Sequence, residues 1–424
     1  MPRKGQLGGV DEPTTDRHVN GPRVRVSSVI DCVVVGGGPA GLAASAALAG
    51  QGVEHLVLER GRVGETWRTQ RWDSFRLNTP GWANTVLGEQ ERDHYPTAAE
   101  VVRLLEKLAV GVPLREGVRV TRLVPEGSGY ALHLGDGVIQ ARTVVIATGG
   151  ENAPRVPALA RALRGRVVQY HAAHYRNPDQ LPDGTVLVVG SAQSGCQIAG
   201  ELVGSGRPVV VATSAVGRVP IPYRGRHILE WAFDSGWFDE RPRDLPDLTT
   251  LRAQPPIFAP GGRPLSLQAL ARAGATLAGR LIAVDNGRLR FDGSAATNMA
   301  ASDEFAAQVK VMVDDYIVRA AVDAPAAEPD DTGAPVDLES PTTLDLAGIG
   351  SIIWCTGFTG EFSWLDPALL KADGKPRYSD CAGALPGIWY VGLPWLTHRG
   401  SGAFLGFPKD AAAAAAAVAA RLTR

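Results

Sequence analysis

Residues 29–60 read VIDCVVVGGGPAGLAASAALAGQGVEHLVLER, and no other stretch of the chain constrains the fold as strongly. The mostly apolar pattern over 29–35, interrupted by Asp31, predicts a buried strand. A turn follows through Gly36, Gly37, Gly38, Pro39, Ala40 and Gly41. A helix of small residues comes next, then a second strand over 55–58 that ends at Glu59 and Arg60. Gly36 permits the tight turn, Gly38 lets the main chain approach a pyrophosphate, and Gly41 lets helix and strand pack closely. The helix start presents unpaired N–H groups and partial positive charge to phosphate. Glu59 falls about 20 residues past the glycines, where a carboxylate accepts bonds from ribose hydroxyls. Strand, turn, helix and acid together predict a dinucleotide site.

A second strand–turn–helix occupies residues 185–203, TVLVVGSAQSGCQIAGELV. Gly190 and Gly195 take the first and third glycine positions, with Gln193 and Ser194 between them, and Ala192 takes the second. A methyl group at Ala192 narrows the approach to a pyrophosphate without closing it. The next strand, over 208–212, ends in Thr213 and Ser214 rather than in an acid. A 2′-phosphate is therefore not repelled, and Arg218, Arg224 and Arg226 follow as partners for it. That favours NADPH over NADH. Two such units predict two nucleotides, a bound flavin first and a nicotinamide second, in an α/β fold of two Rossmann-like domains, the second inserted in the first.

The chain has 424 residues, enough for two domains, and a formal net charge of −1. No global field draws in nucleic acid or an anionic membrane, and no basic run with interleaved aromatics suggests nucleic-acid binding. The four cysteines, Cys32, Cys196, Cys355 and Cys381, form no close pair. That count fits a reducing, cytoplasmic compartment, and it removes disulfide relay from the chemistry. Cysteine and histidine are too scattered for a metal site. No segment has the apolar length to span a bilayer.

Domain limits follow from these units. Residues 1–28 read as a flexible leader, 29–150 and 345–424 as the first nucleotide domain, and 151–344 as the second. The second carries an insertion over about 217–344. Within it lie a proline-rich loop (241–264), a short helix (265–277), a hairpin turning at Asn286-Gly287, a long helix (300–320) and an acidic, proline-rich stretch (323–341) read as an exposed linker. Strands ending in Thr148-Gly149 and Thr356-Gly357 suit the points where the chain leaves one sheet for another. The strand in GIWYVGLP, with Gly392, and the alanine-rich terminal helix return to the first domain.

These motifs resemble the class B flavoprotein monooxygenases, a group that includes flavin-containing, auxin-forming and Baeyer–Villiger enzymes. The resemblance runs from residue 29 to the C-terminus. GGGPAG with Glu59 matches its FAD fingerprint, and Gly64-Glu65-Thr66-Trp67 resembles its Gly-Gly-Thr-Trp turn, with Glu65 for the second glycine. Asn78, in LNTP, resembles an asparagine that hydrogen-bonds the oxygenated flavin in some members. GSAQSG matches the NADPH fingerprint, and ATG (147–149) and CTGF (355–358) match its strand ends. The group's Phe-x-Gly-x-x-x-His signature is altered here, with Leu163, Gly165 and His171 and two extra residues.

The resemblance implies FAD, NADPH, O₂ and a small-molecule substrate, with one oxygen atom transferred through a C4a-(hydro)peroxyflavin. It marks Asn78 as the peroxide's hydrogen-bond partner and Trp67, Trp72, Trp82 and Trp395 as candidate pocket walls. Arg399, in the loop before the terminal helix, is expected to stabilise reduced flavin or to meet an anionic substrate. A flavin oxidase or dehydrogenase on the same fold, and a non-enzymatic flavin-binding redox regulator, remain alternatives. The sequence leaves homodimerisation, and the choice among N-, S-, C-oxidation and Baeyer–Villiger insertion, open.

Overall fold

The computed structural model describes residues 29–245, 256–257 and 265–424. The leader over 1–28 and most of the proline-rich loop fall outside the described residues.

Two parallel sheets organise the molecule. In the first, the strand Ile30–Val35 lies between His55–Leu58 and Val138–Ile146, with parallel pairing on both sides. Leu114–Arg115 extends the sheet beyond His55–Leu58. Ile388–Tyr390 pairs in parallel with Val138–Ile146 on the other side, so the chain's last strand does return to the first sheet. A central parallel strand is covered on both faces, and Cys32, Val33 and Val34 have no exposed surface. The helix Pro39–Gly50 covers one face. Its alanines and glycines allow the terminal helix Phe407–Leu422 to approach, and Ala411, Ala414, Ala415 and Val418 are buried in the same core.

The second sheet runs in the order Thr276–Ala278, Val209–Ala212, Thr185–Val189, Ile349–Trp354, Val168–His171. Every pairing in it is parallel. Here the expected domain limit needs correction. Ile349–Trp354 belongs to the second sheet, hydrogen-bonded between Thr185–Val189 and Val168–His171, so the chain re-enters the first domain after residue 355 rather than at 345. Its apolar run suits either buried sheet equally, and only pairing assigns it.

The insertion folds against this second domain. The hairpin turn is present, with Asn286 at φ +47° and Gly287 at φ +78° between Leu281–Asp285 and Arg288–Phe291. The long helix spans Ala295–Ala320, five residues earlier than expected, and the region expected as one short helix divides into a helix, Leu267–Arg272, and a strand, Thr276–Ala278. The stretch over 323–341 is not a loose linker. Asp330 accepts bonds from Arg218 Nη1 (2.7 Å) and Lys310 Nζ (2.8 Å), and Ser266 Oγ donates to the Thr332 carbonyl at 2.7 Å. Asp330 is an internal counter-ion, which composition alone does not distinguish from solvated charge.

Candidate active site

The two glycine turns have nearly the same geometry. Gly36 sits at φ +116° and Gly190 at φ +108°, both in the region that favours glycine. A methyl at Gly36 would lie 2.5 Å from the Ala147 carbonyl oxygen, and one at Gly190 would lie 2.4 Å from that of Cys355. A methyl at Gly41 would lie 1.8 Å from the Gly36 oxygen, and one at Gly195 would lie 1.9 Å from the Gly190 oxygen. The helix N-caps match as well: Gly38 has φ −82°, ψ −174°, and Ala192 has φ −74°, ψ −171°. Neither helix has a side-chain cap or an acidic residue in its first turn, so the first-turn N–H groups are left for an anion.

The middle position explains itself. A methyl built on Gly38 meets no protein atom within 4 Å. The protein does not require glycine there, and the open space lies on the side where a ligand would approach. Ala192 occupies the equivalent position in relaxed extended backbone.

A cavity opens along the first turn. Its wall includes Gly36, Gly38, Pro39 and Ala40, then Glu59 and Arg60, then Thr66 and Trp67, then Thr148 and Gly149, with Gly392 and Phe407 beyond. Glu59 is held rigidly: its carboxylate accepts the N–H groups of Gly37 at 2.7 Å and Gly61 at 2.8 Å. Gly392, at φ +86°, passes so close to Ala40 that a methyl would lie 2.5 Å from the Ala40 Cβ. Thr148 lines the cavity, and its own hydroxyl is buried with no hydrogen-bond partner among the described residues. An orphaned hydroxyl in the wall, bare helix amides and an anchored carboxylate fit an adenine dinucleotide. Loop residues Val118, Arg119 and Val120, together with Glu361 and Trp364, also line it. The first three follow the carboxyl end of a parallel strand, a position that was their one legible signal.

At the second turn, Thr356 and Gly357 stand where Thr148 and Gly149 stand at the first. Gly357 has φ +81° against +76° for Gly149. Thr356 differs from Thr148 in being satisfied, since its hydroxyl donates to the Arg155 carbonyl at 2.5 Å. His171 is buried beside this exit. Its Nε2 lies 3.0 Å from the Gly357 carbonyl, and its Nδ1 accepts the Ala173 N–H at 3.1 Å. Burial lowers its pKa below the ordinary histidine value, and the Gly357 bond opposes that in part. His171 thus ties the strand end to the segment leaving it. Gln193 and Ser194 begin the following helix.

Several expected functional residues are engaged elsewhere. Arg218, expected at a 2′-phosphate, is buried and bound to Asp303 (2.6 Å) and Asp330 (2.7 Å). Arg224 pairs with Asp314 at 2.6 Å and Arg226 with Asp234 at 2.7 Å. Arg399 is bound to Glu240 through Nε at 2.8 Å and through Nη2, and stacks on Trp237 and Trp395. Sequence spacing marked these cations, but their counter-ions lie 8 to 159 residues away. Asn78 is half-buried and stands outside the cavity wall. The asparagine that orders this loop is the buried Asn84, which donates to the Thr79 and Pro80 carbonyls at 3.1 and 2.9 Å. Of the four tryptophans, Trp67 lines the cavity, whereas Trp72 is buried in the second core.

All four cysteines are free and buried. Burial pushes the Cys32 and Cys196 thiols up to about 12, so neither is a thiolate at neutral pH. Among the described residues no cluster of three metal-ligating side chains occurs, and no helix is long and apolar enough to cross a membrane.

The sequence pattern of the pyridine nucleotide-disulphide oxidoreductase family matches residues 33–219. An oxidoreductase of uncharacterised activity from Geobacillus kaustophilus (strain HTA426), described as CzcO-like, is 25% identical over 90% of this chain and 96% of its own length. Indole-3-pyruvate monooxygenase YUCCA1 of Oryza sativa subsp. japonica is 32% identical over 46% of this chain, which spans about half (51%) of that relative. Among solved structures, the flavin-containing monooxygenase from Stenotrophomonas maltophilia superposes with a TM-score of 0.63 at 21% identity, covering 93% of this chain and 99% of that one. This chain is therefore similar in sequence to oxidoreductases and, in part, to a flavin-dependent monooxygenase. Its fold is mixed α/β with two dinucleotide-binding domains, and its relatives are oxidoreductases.

Proposed function

We propose that the protein is an FAD- and NADPH-dependent monooxygenase that places one atom of O₂ into a small organic molecule. The observation that carries this reading is the pair of matched nucleotide turns, of which the first opens onto a cavity containing an anchored carboxylate and an unpartnered hydroxyl. The likeness to named flavin monooxygenases supports it.

The residues divide the work along the cavity. The amides at Gly38 to Gly41 hold the FAD pyrophosphate, and Glu59 holds the adenosine ribose. Thr66, Trp67, Thr148 and Gly149 flank the redox end, and the Thr148 hydroxyl is free to bond the cofactor. Phe404 and Phe407 pack in tilted and edge contacts next to Trp67, giving that end an apolar wall that keeps water away from the reacting centre. When bound, the flavin would supply hydride acceptance and activation of O₂. The turn at Gly190, Ala192 and Gly195 holds NADPH, whose 2′-phosphate meets no acid at Thr213 and Ser214.

The purified protein is expected to be yellow and to oxidise NADPH with oxygen uptake. Stopped-flow mixing of the reduced protein with O₂ should show a transient C4a-adduct band. A colourless protein that neither takes up FAD nor oxidises NADPH would refute the reading. Direct reoxidation with no transient and stoichiometric hydrogen peroxide would make it an oxidase.

A further inference from the structure

We infer that Glu240, in the insertion, is a positioning residue for the flavin cavity: through Arg399 it holds the loop 394–402, whose two ends form part of the cavity wall. That link deepens the monooxygenase reading and rests on it only for naming FAD as the occupant of the cavity.

The loop closes on itself. Pro394 and Gly402 both line the cavity. Gly402 has φ +89°, and a methyl there would lie 2.7 Å from the Pro394 Cα, so the two ends are in contact. A methyl at Gly150 would lie 3.0 Å from the Pro394 Cδ, which seats the same end against the exit of the first sheet. Displacement of the loop therefore moves the wall itself.

Two anchors hold it. From inside, the fully buried Asp410 of the terminal helix accepts bonds from Thr397 Oγ1 and, at 3.2 Å, from Ser401 Oγ. From outside, the segment 237–240 reaches across from the insertion. The Arg399 N–H donates to the Glu240 carbonyl at 2.8 Å, and the Gly400 N–H donates to the Phe238 carbonyl at 3.0 Å. Arg399 Nε donates to the Glu240 carboxylate at 2.8 Å, with a second bond from Nη2. The Arg399 guanidinium carbon stands 4.2 Å from the Trp237 ring centre and 4.8 Å from that of Trp395. The cation thus lies against one tryptophan of each segment.

Two observations make Glu240 the decisive partner. The Arg399 side chain is only 12% exposed, and Glu240 is its one carboxylate within ion-pair distance among the described residues. Removing that carboxylate leaves a largely buried cation without a counter-charge. Trp395 sits at φ +57°, a conformation that a bulky residue keeps only when its surroundings impose it. Its stack on Arg399 is such a surrounding, and Arg399 is fixed in turn by Glu240. Loss of the carboxylate frees the cation, and with it Trp395 and the loop between Pro394 and Gly402. The pair Lys409–Asp239, which joins the insertion to the terminal helix, is exposed on both sides and adds little.

The test uses the FAD-loaded full chain. Amide exchange is followed by mass spectrometry over 395–402, and FAD release by the rise in flavin fluorescence on dilution. In Glu240→Gln both should quicken about 10-fold, the size expected for losing a charge-assisted pair. Exchange over Thr185–Val189, in the second sheet, should stay unchanged and so report an intact fold. Arg399→Met should match Glu240→Gln, and the double variant should stay within about 2-fold of either single one. Glu240→Asp should recover part of the retention, and Lys409→Gln should change either rate by less than about 2-fold. Unchanged exchange over 395–402 in Glu240→Gln would overturn the assignment. So would additive losses in the double variant, or a lowered melting midpoint with FAD release unaltered, which is the outcome for a pair that only stabilises the fold. A chain that takes up no FAD would refute the flavoprotein reading, and the exchange measurement would still decide whether Glu240 holds the loop.

Discussion

The turns at Gly36–Gly41 and Gly190–Gly195 agree to within 8° in φ at their first glycines and 0.1 Å in their closest constraints, yet they differ at two points. Glycine occupies the middle position of the first and alanine that of the second. The strand following the first ends in Glu59, clamped by two amides, whereas the strand following the second ends in Thr213 and Ser214. The repeated part is backbone, set by close approach of helix, turn and sheet. The parts that choose a ligand are side chains outside the turn. A third contrast follows from folding: Thr148 is left unpartnered in a cavity, and its counterpart Thr356 is used up on Arg155.

The largest effects should come from breaking what the turns share. Gly41→Ala and Gly195→Ala each drive a methyl to within 2 Å of a carbonyl oxygen. Each should lower unfolding free energy by about 3 kcal/mol, at the upper end for overpacking, as read by urea denaturation. Equal losses would confirm the equivalence. A loss confined to one turn would break it.

The next test separates ligand from fold. Gly38→Leu places its side chain where no protein atom lies within 4 Å, so stability should change by less than about 0.5 kcal/mol while FAD content falls about 100-fold. A fully loaded Gly38→Leu protein would remove the pyrophosphate from that position.

Ser214→Asp adds an acid at the end of the second unit's strand. It should reduce the preference for NADPH over NADH about 10-fold in steady-state kinetics, since like charges disfavour the 2′-phosphate. An unchanged ratio would move the 2′-phosphate elsewhere.

A smaller effect concerns the second exit strand, where His171 sits. Its folded pKa lies below the unfolded value, so the unfolded chain binds more protons at mildly acid pH. Stability is then complete above about pH 6.5 and falls as pH drops below it, by at most about 1.4 kcal/mol per pH unit for one site. His227, also lowered by burial, acts in the same direction. Thermal melts of His171→Gln should show a shallower acid slope. An unaltered slope would exclude His171 as a source.

Legibility followed the range of the interactions. Gly36, Gly38, Gly41 and Glu59 were readable because strand, turn, helix and acid are consecutive, and local sterics permit few alternatives. The Asn286-Gly287 turn was readable for the same reason. Ile349–Trp354 was misplaced because an apolar strand carries no mark of its sheet. The pairings of Arg218 and Arg399 were not legible because their counter-ions lie far along the chain, Asp330 for one and Glu240 for the other.

The order of residues by itself determined two glycine turns, their helices and the acid that ends the first unit, since backbone sterics over a few consecutive residues decide them. Only the tertiary structure decided which charges are consumed internally, which buried hydroxyl is left without a partner and where the chain changes sheets. Those outcomes depend on pairings between segments that share no local signal, and Coulomb attraction and burial act on distance in space rather than distance in sequence.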